Sequence, residues 1–236
     1  SSGLGWASAQ QLVAEGARVV LVARRAELLR QRINELGGDQ WAAALPADLT
    51  DPETADAACE LALQRFGRLD GALISVAGPA KGTVLEVTDD QWRDAFELVF
   101  LAAMRSLRAV VGHAASATSI AFVLSSSAKT PLAEMAPSNG LRPGLAMLVK
   151  QASDELAPQG HRVLGLLPGL IATDRLASLF GPDPQQAMAN AAAGIPARRI
   201  ADPAEFGRVA AFCVSPAASY LTGSLIAVDG GSLRVP

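Results

Sequence analysis

Residues 1–25 read SSGLGWASAQQLVAEGARVVLVARR, and this stretch decides the fold. It opens on a glycine-bearing turn, runs into a segment whose apolar residues return every three or four positions, and ends in an unbroken apolar run of strand length. Turn, helix, buried strand is the alternation of parallel α/β proteins. The same rhythm continues outward from it. Strands are expected at 17–23, 41–45, 72–76, 120–124, 163–167 and 225–228, and helices at 5–15, 26–36, 52–66, 89–111, 138–157 and 203–214. The strand runs do not alternate apolar with polar, as expected where helices cover both faces of a sheet. Asp51-Pro52 and Asp202-Pro203 each place a capping residue just before a proline at the first helical position.

Composition narrows the class further. The chain has 236 residues, 50% of them hydrophobic and 18% charged, with a net charge of −3. Disorder and coiled-coil composition are thereby excluded, and the length suits one domain spanning 1–236. With no block of basic residues, neither nucleic acid nor an anionic membrane is an expected partner. No apolar run approaches the roughly 20 residues of a membrane-spanning helix, and no Lys/Arg-headed signal peptide opens the chain. Cys59 and Cys213 fall inside expected helices and read as small buried thiols, too few for a disulfide framework. With two histidines in the chain, no cluster has metal-ligand spacing, so no metal is expected. A reducing cytoplasm fits by default.

Two regions are irregular. The segment 172–196 carries Pro182, Pro184 and Pro196 around a short Ala-rich helical pattern, after the carboxyl end of a strand. That is where open α/β sheets place a mobile cover over a ligand; a surface excursion without a role is the alternative. The other is the opening turn, which no strand feeds. A doubly wound sheet without that strand would leave neighbouring edges unpaired, so residues belonging at the amino end are expected to lie outside the sequence.

Gly3 and Gly5, immediately before an amphipathic helix, let the backbone approach a pyrophosphate while the helix amino end offers free N–H groups. The strand that follows ends in Arg24-Arg25, where a site for NAD would hold an acid for the ribose 2′-hydroxyl. Two guanidiniums suit a 2′-phosphate and favour NADP; a solvated helix start is the alternative reading. Asp48-Leu49, past the strand expected at 41–45, would offer a carboxylate to the adenine amino group; an ordinary turn aspartate is the alternative reading.

The order Ser-Ser-Gly-Leu-Gly, Val-Val-Leu-Val-Ala-Arg-Arg, Asp48-Leu49 and Ser75-Val76-Ala77-Gly78 resembles the short-chain dehydrogenase/reductase superfamily. So do Leu124-Ser125-Ser126, Glu155-Leu156-Ala157-Pro158, Pro168-Gly169, Ile171-Ala172-Thr173, Leu221-Thr222-Gly223 and Val228-Asp229-Gly230-Gly231. The resemblance spans essentially the whole chain, short of the family's first strand and first glycine. It implies a Rossmann-type doubly wound parallel sheet with helices on both faces and an NADP cradle. Gly3 and Gly5 would lie under the pyrophosphate, Arg24 and Arg25 near the 2′-phosphate, Asp48 and Leu49 at the adenine, and Ala77 and Gly78 along the adenosine ribose. Pro168 and Gly169 would flank the nicotinamide, with the Ile171 main chain and the Thr173 hydroxyl holding its carboxamide. The resemblance also implies a homodimer or homotetramer built through the helices at 89–111 and 138–157. Their apolar residues Phe96, Val99, Phe100, Leu145 and Leu148 suit such an interface, or equally packing on the sheet.

The family's catalytic pattern breaks here. Carbonyl-reducing members use a Tyr with a Lys four residues later, a Ser about a dozen residues upstream, and an Asn in the preceding long helix that holds a relay water. Counting from Glu155-Leu156-Ala157-Pro158 places the Tyr position at Ser138 and the Lys position at Arg142, which would hold a ribose or oxyanion. Counting from Trp92 places the Asn position at Val99. The upstream serine survives as Ser126 or its neighbour Ser125. A phenol titrates near 10, within reach of an adjacent cation, whereas a serine hydroxyl is a far weaker acid and a guanidinium does not pass protons onward. Tyr220 lies too far along the chain to replace the lost phenol. Lys129 and Glu134 would overhang the site or be solvated loop charges, and His113 and His161 are expected to face solvent. The sequence thus points to a slow NADP(H)-dependent oxidoreductase acting on a small carbonyl or alcohol, with Ser126, Ser138 and Arg142 at its centre. A catalytically silent cofactor-binding subunit and a fold turned to non-redox chemistry are the alternatives.

Overall fold

The structure, a computed structural model, describes residues 1–179 and 184–235. Two parallel sheet pieces form its middle. β1 (Val19–Ala23) pairs with β2 (Ala42–Pro46), and β3 (Gly71–Ile74), β4 (Ser119–Val123), β5 (Arg162–Pro168) and β6 (Leu225–Val228) follow in that spatial order. The helices are α1 (Gly3–Ala14), α2 (Ala26–Glu35), α3 (Thr54–Phe66), α4 (Asp89–Ala95), α5 (Ala102–His113), α6 (Ala136–Leu156), α7 (Asp174–Leu179), α8 (Pro184–Gly194) and α9 (Pro203–Val214).

The central strands are apolar on both faces because both are covered. Ile120, Phe122 and Val163 pack with Leu107, Leu145 and Val149 of α5 and α6, while Ala121, Val123, Leu164 and Leu166 pack with Phe206 and Ala210 of α9. Each of the larger side chains contributes about 1.5–3 kcal/mol by leaving water. This two-sided burial is why the strands read as continuous apolar runs.

Several expectations are corrected. Asp51 does not cap α3: its Oδ1 accepts the Glu53 N–H at 3.0 Å and its carbonyl the Thr54 N–H at 3.2 Å, closing a turn ahead of a helix that starts at Thr54. Asp202 does cap α9, accepting the Ala204 N–H at 2.7 Å while Glu205 accepts the Asp202 N–H at 2.9 Å. The expected helix at 89–111 is interrupted by a π-helical segment, Phe96–Leu101, between α4 and α5. Such segments add a residue to the turn, and this one puts Val99, fully buried, into the core. His161 is buried rather than solvent-facing, its Nδ1 taking the Thr118 N–H at 3.1 Å, at the amino end of the strands.

Among the described residues no strand lies between β1 and β3. Their facing edges border a cleft of about 1190 Å³ lined by Val20, Val22, Leu73, Ile74 and Cys59. Cys59 and Cys213 are buried, and burial, with Asp56 and Glu60 nearby, pushes the Cys59 thiol up to about 11. No described helix is long and apolar enough to cross a membrane, and no three His, Cys, Asp or Glu residues of the described chain stand together as metal ligands.

Of the helix faces named for an interface, Val99 and Leu145 belong to the core. Phe96 is 42% exposed and stacks on Phe100 at 5.1 Å between ring centroids, and Met147 of α6 is 71% exposed. The segment 172–196 contains α7 and α8; Pro182 lies outside the described residues.

Candidate active site

The glycine turn stands at the head of α1. Gly3 adopts φ +57°, a left-handed conformation that glycine takes without steric penalty, and it starts α1. The N-cap Ser2 makes no side-chain cap and the first turn holds no acidic residue, so the leading N–H groups are left for a ligand. The turn is fixed from the side: the Arg32 Nε donates to the Ser1 carbonyl at 3.1 Å, and its guanidinium lies 4.4 Å from the Trp6 ring centroid. Ser2, Gly3 and Thr173 share the wall of a second cavity of about 340 Å³.

Of the two expected guanidiniums, that of Arg25 meets this turn and that of Arg24 turns to Asp48. The Arg25 Nη2 donates to the Ser2 hydroxyl at 3.2 Å, and the Arg24 Nη1 lies 3.6 Å from the Asp48 carboxylate. Both arginines are exposed. Asp48 accepts the Thr50 N–H at 3.0 Å and the Thr50 hydroxyl at 2.9 Å, and these bonds hold its carboxyl below the ordinary range. Its second oxygen remains toward Arg24 and solvent. Leu49 borders the large cleft beside it.

Ala77 is exposed and Gly78 half-buried on the loop after β3. A Cβ at Gly78 would overlap the Arg175 guanidinium, which lies flat against the glycine. Sequence reasoning passed over Arg175; its one signal is its place two residues beyond Thr173. The carboxyl end of β5 behaves differently. Gly169 is required by packing, since a Cβ there would meet that of Asp229 at 2.7 Å, and its N–H bonds to the Val228 carbonyl at 3.0 Å. Ile171 is buried, and the backbone bonds to Ala201 are made by its neighbours Leu170 and Ala172. Thr173 accepts the Leu176 N–H at 3.2 Å, which leaves the hydroxyl proton to donate, while its methyl faces Gly3. The residues present thus fit a dinucleotide along Gly3, Gly5, Arg24, Arg25 and Asp48.

At the positions where the sequence leads one to expect catalytic groups, the hydroxyl brought to Ser138 is that of Ser127, not Ser126. The two Oγ atoms are 2.9 Å apart, and both residues are 2% exposed. The signal was present in the run Ser125-Ser126-Ser127, but spacing alone pointed to its earlier members. Ser125 accepts the Ser127 N–H at 3.1 Å, and Ser126 is half-buried with its hydroxyl unbonded among the described residues. Arg142 is buried, its Nη1 donating to the Val123 carbonyl at 2.7 Å while its Nε has no partner among the described residues. Burial and the neighbouring Arg175 charge pull the Arg142 guanidinium down to about 10. Pro168 ends β5. Tyr220 is fully exposed beside the amino end of β6, and the backbone around Glu134 is pinned to Gly82 by a 2.8 Å bond.

Comparison with known proteins agrees with this architecture. A family profile described as enoyl-(acyl carrier protein) reductase matches residues 1–232. The chain is 34% identical over 240 residues to an A-factor type gamma-butyrolactone 1'-reductase (1S-forming) of Streptomyces virginiae, covering 98% of this chain and 91% of that one. It superposes at a TM-score of 0.93, with 29% identity, on the L-sorbose reductase of Gluconobacter frateurii in complex with NADPH and L-sorbose, covering 100% of this chain and 94% of that one. An NADPH-bound short chain oxidoreductase of Pseudomonas aeruginosa PAO1 containing an atypical catalytic center superposes at 0.92 with 30% identity, covering 100% and 94% of the two chains. With an all-parallel sheet flanked by helices, a glycine turn at the head of α1 and a match running almost end to end, the chain belongs to the short-chain dehydrogenase/reductase superfamily.

Proposed function

We propose that the protein is an NADP(H)-dependent reductase of a small carbonyl compound, turning over slowly because its proton-donating machinery has been replaced. The observation that carries the reading is the meeting of Arg25 with Ser2 at the uncapped head of α1, with Arg24 alongside and no acid at the end of β1. This is a seat for a phosphorylated ribose next to a seat for a pyrophosphate. NADPH-bound relatives of the same fold support the choice of cofactor.

In this reading Gly3 and Gly5 seat the pyrophosphate, Asp48 and Leu49 border the adenine, and Ala77 and Gly78 line the adenosine ribose. Pro168, Gly169, the Ile171 main chain and the Thr173 hydroxyl orient the nicotinamide ring, and the segment at 172–196 covers the bound substrate. When bound, the reduced nicotinamide supplies the hydride that reaches the carbonyl carbon. Ser126 donates its hydroxyl to the carbonyl oxygen, and Arg142 holds the negative charge that develops there. The proton that completes the alcohol comes from solvent through the Ser138 and Ser127 hydroxyls, a poor acid pair, at a loss of about 10²- to 10⁴-fold in rate relative to a phenol-lysine pair. A homodimer or homotetramer through the exposed Phe96 and Met147 faces, in the cytoplasm, completes the proposal.

Nicotinamide fluorescence titration tests it. NADPH is expected to bind at least tenfold more tightly than NADH, and Arg24→Ala/Arg25→Ala to weaken NADPH about 10²-fold while sparing NADH, each charge-assisted bond being worth about 1.5–3 kcal/mol. Equal affinity for both nucleotides would overturn the reading. The full burial of Ser127 and Ser138 favours a second reading, a subunit that binds NADPH without turnover; it holds if tight binding comes with no NADPH oxidation across ketones, aldehydes and acyl thioesters.

A further inference from the structure

Two guanidiniums stand at the carboxyl edge of the sheet without a carboxylate. Arg142 reaches from α6 to the end of β4, where one nitrogen bonds the Val123 carbonyl and the buried Nε bonds nothing among the described residues. Arg175, from the short α7, lays its guanidinium on Gly78 at the end of the adjacent strand β3. Neither forms an ion pair among the described residues, although arginines and a lysine elsewhere in them pair with carboxylates. They stand close enough for the Arg175 charge to bear on Arg142, and loss of solvent disfavours the charge on both. Like charges brought together out of water are held at a penalty that an oxyanion between them removes. The fork of a guanidinium matches the paired oxygens of a carboxylate or phosphate, and an unpartnered Nε leaves one prong of that fork unspent.

We propose that Arg142 and Arg175 together form an oxyanion site, taking a carboxylate or phosphate oxygen pair above Gly78. The site deepens the function proposed above and rests on that reading. Two sources supply such an anion there: the pyrophosphate of the nucleotide, because Thr173, two residues before Arg175, touches Gly3 of the glycine turn, or a carboxylate on the substrate. Arg175 is exposed as a residue while its guanidinium is partly desolvated against Gly78, and no ion pair of the described residues holds it, so it turns from Gly78 onto the anion without breaking a core contact. Gly78 is thereby the residue whose bare Cα lets the guanidinium rest against the loop after β3.

The test compares wild-type protein with Arg175→Gln and Arg142→Gln, with thermal unfolding as the check on folding. Three probes are titrated: inorganic pyrophosphate by calorimetry, NADPH by fluorescence, and acetoacetate against its neutral methyl ester, with and without NADP⁺. Weakening of pyrophosphate and NADPH by at least fivefold in both variants assigns the anion to the cofactor. Weakening of acetoacetate by at least fivefold, with NADPH and the ester unchanged, assigns it to the substrate. A wild type that binds pyrophosphate or acetoacetate through these arginines but not NADPH keeps the site and removes the reductase reading. Changes under fivefold for every anion in Arg175→Gln, or a wild type that binds none of the three, overturn the site.

Discussion

Arg162 and Arg142 are both buried arginines, set at opposite ends of the same sheet, and they are treated in opposite ways. At the amino end, Arg162 donates to the Cys213 carbonyl at 3.0 Å, the Leu221 carbonyl at 3.3 Å, the Ser215 carbonyl at 2.8 Å and the Ser119 hydroxyl at 2.5 Å. It staples β4 and β5 to the chain after α9 and to the turn before β6. At the carboxyl end, Arg142 has one carbonyl and an unbonded Nε among the described residues. A guanidinium whose two terminal nitrogens are spread over four acceptors is a structural brace. One left with donors to spare, on the edge where α/β sheets bind ligands, is reserved for something that arrives later.

The largest test of this contrast is Arg162→Met. It strands several buried acceptors at about 1–3 kcal/mol each and should lower stability by about 3–5 kcal/mol, a fall on the order of 10 °C in the midpoint measured by calorimetry. A drop of only a degree or two would dissolve the distinction. Next comes the Ser127–Ser138 pair. Ser127→Ala leaves a buried hydroxyl alone and should cost about 1–3 kcal/mol in chemical unfolding, while Ser127→Ala/Ser138→Ala should cost less than the sum of the single changes. Arg142→Gln should move stability by only about 1 kcal/mol, because removing a poorly paired buried charge offsets the lost bond to Val123. A loss as large as that of Arg162→Met would make Arg142 a brace as well.

The smallest effect concerns a surface contact. Arg199, with the Asp202 N–H, holds the Glu205 carboxyl at about 2, below its ordinary 4.5. A carboxyl whose folded value is depressed stabilises the fold above its unfolded value. That contribution should therefore be complete above about pH 4.5 and fade as pH falls toward about 2. Glu205→Gln should flatten this part of the acid-unfolding curve, and an unchanged curve would show that the pair adds nothing measurable.

What the sequence disclosed and what it hid divide along similar lines. The strands and helices were legible because two-sided burial writes itself as unbroken apolar runs and amphipathic periods, and β6 and α9 begin and end where those patterns do. The placement of Arg24, Arg25 and Asp48 was legible for a related reason: they follow the ends of β1 and β2, fixed by the element before them. Hidden were features decided by how one segment lies on another. Whether Ser126 or Ser127 meets Ser138 depends on the turn of three residues after β4, and both serines look alike in the chain. Arg175 reaches Gly78 across nearly a hundred positions, with no periodicity linking the two. The π-helical stretch around Val99 was invisible because a helix with one extra residue in a turn keeps nearly the same apolar spacing.

The edges of β1 and β3, which border a cleft instead of each other, carry a further consequence. The pair β1–β2 is joined to the larger sheet through side chains of α1 and α3 and not through a backbone ladder. Contact between the half that carries the arginine pair and the half that carries Ser138 is thus made helix to helix, α1 on α9 and α3 on α5.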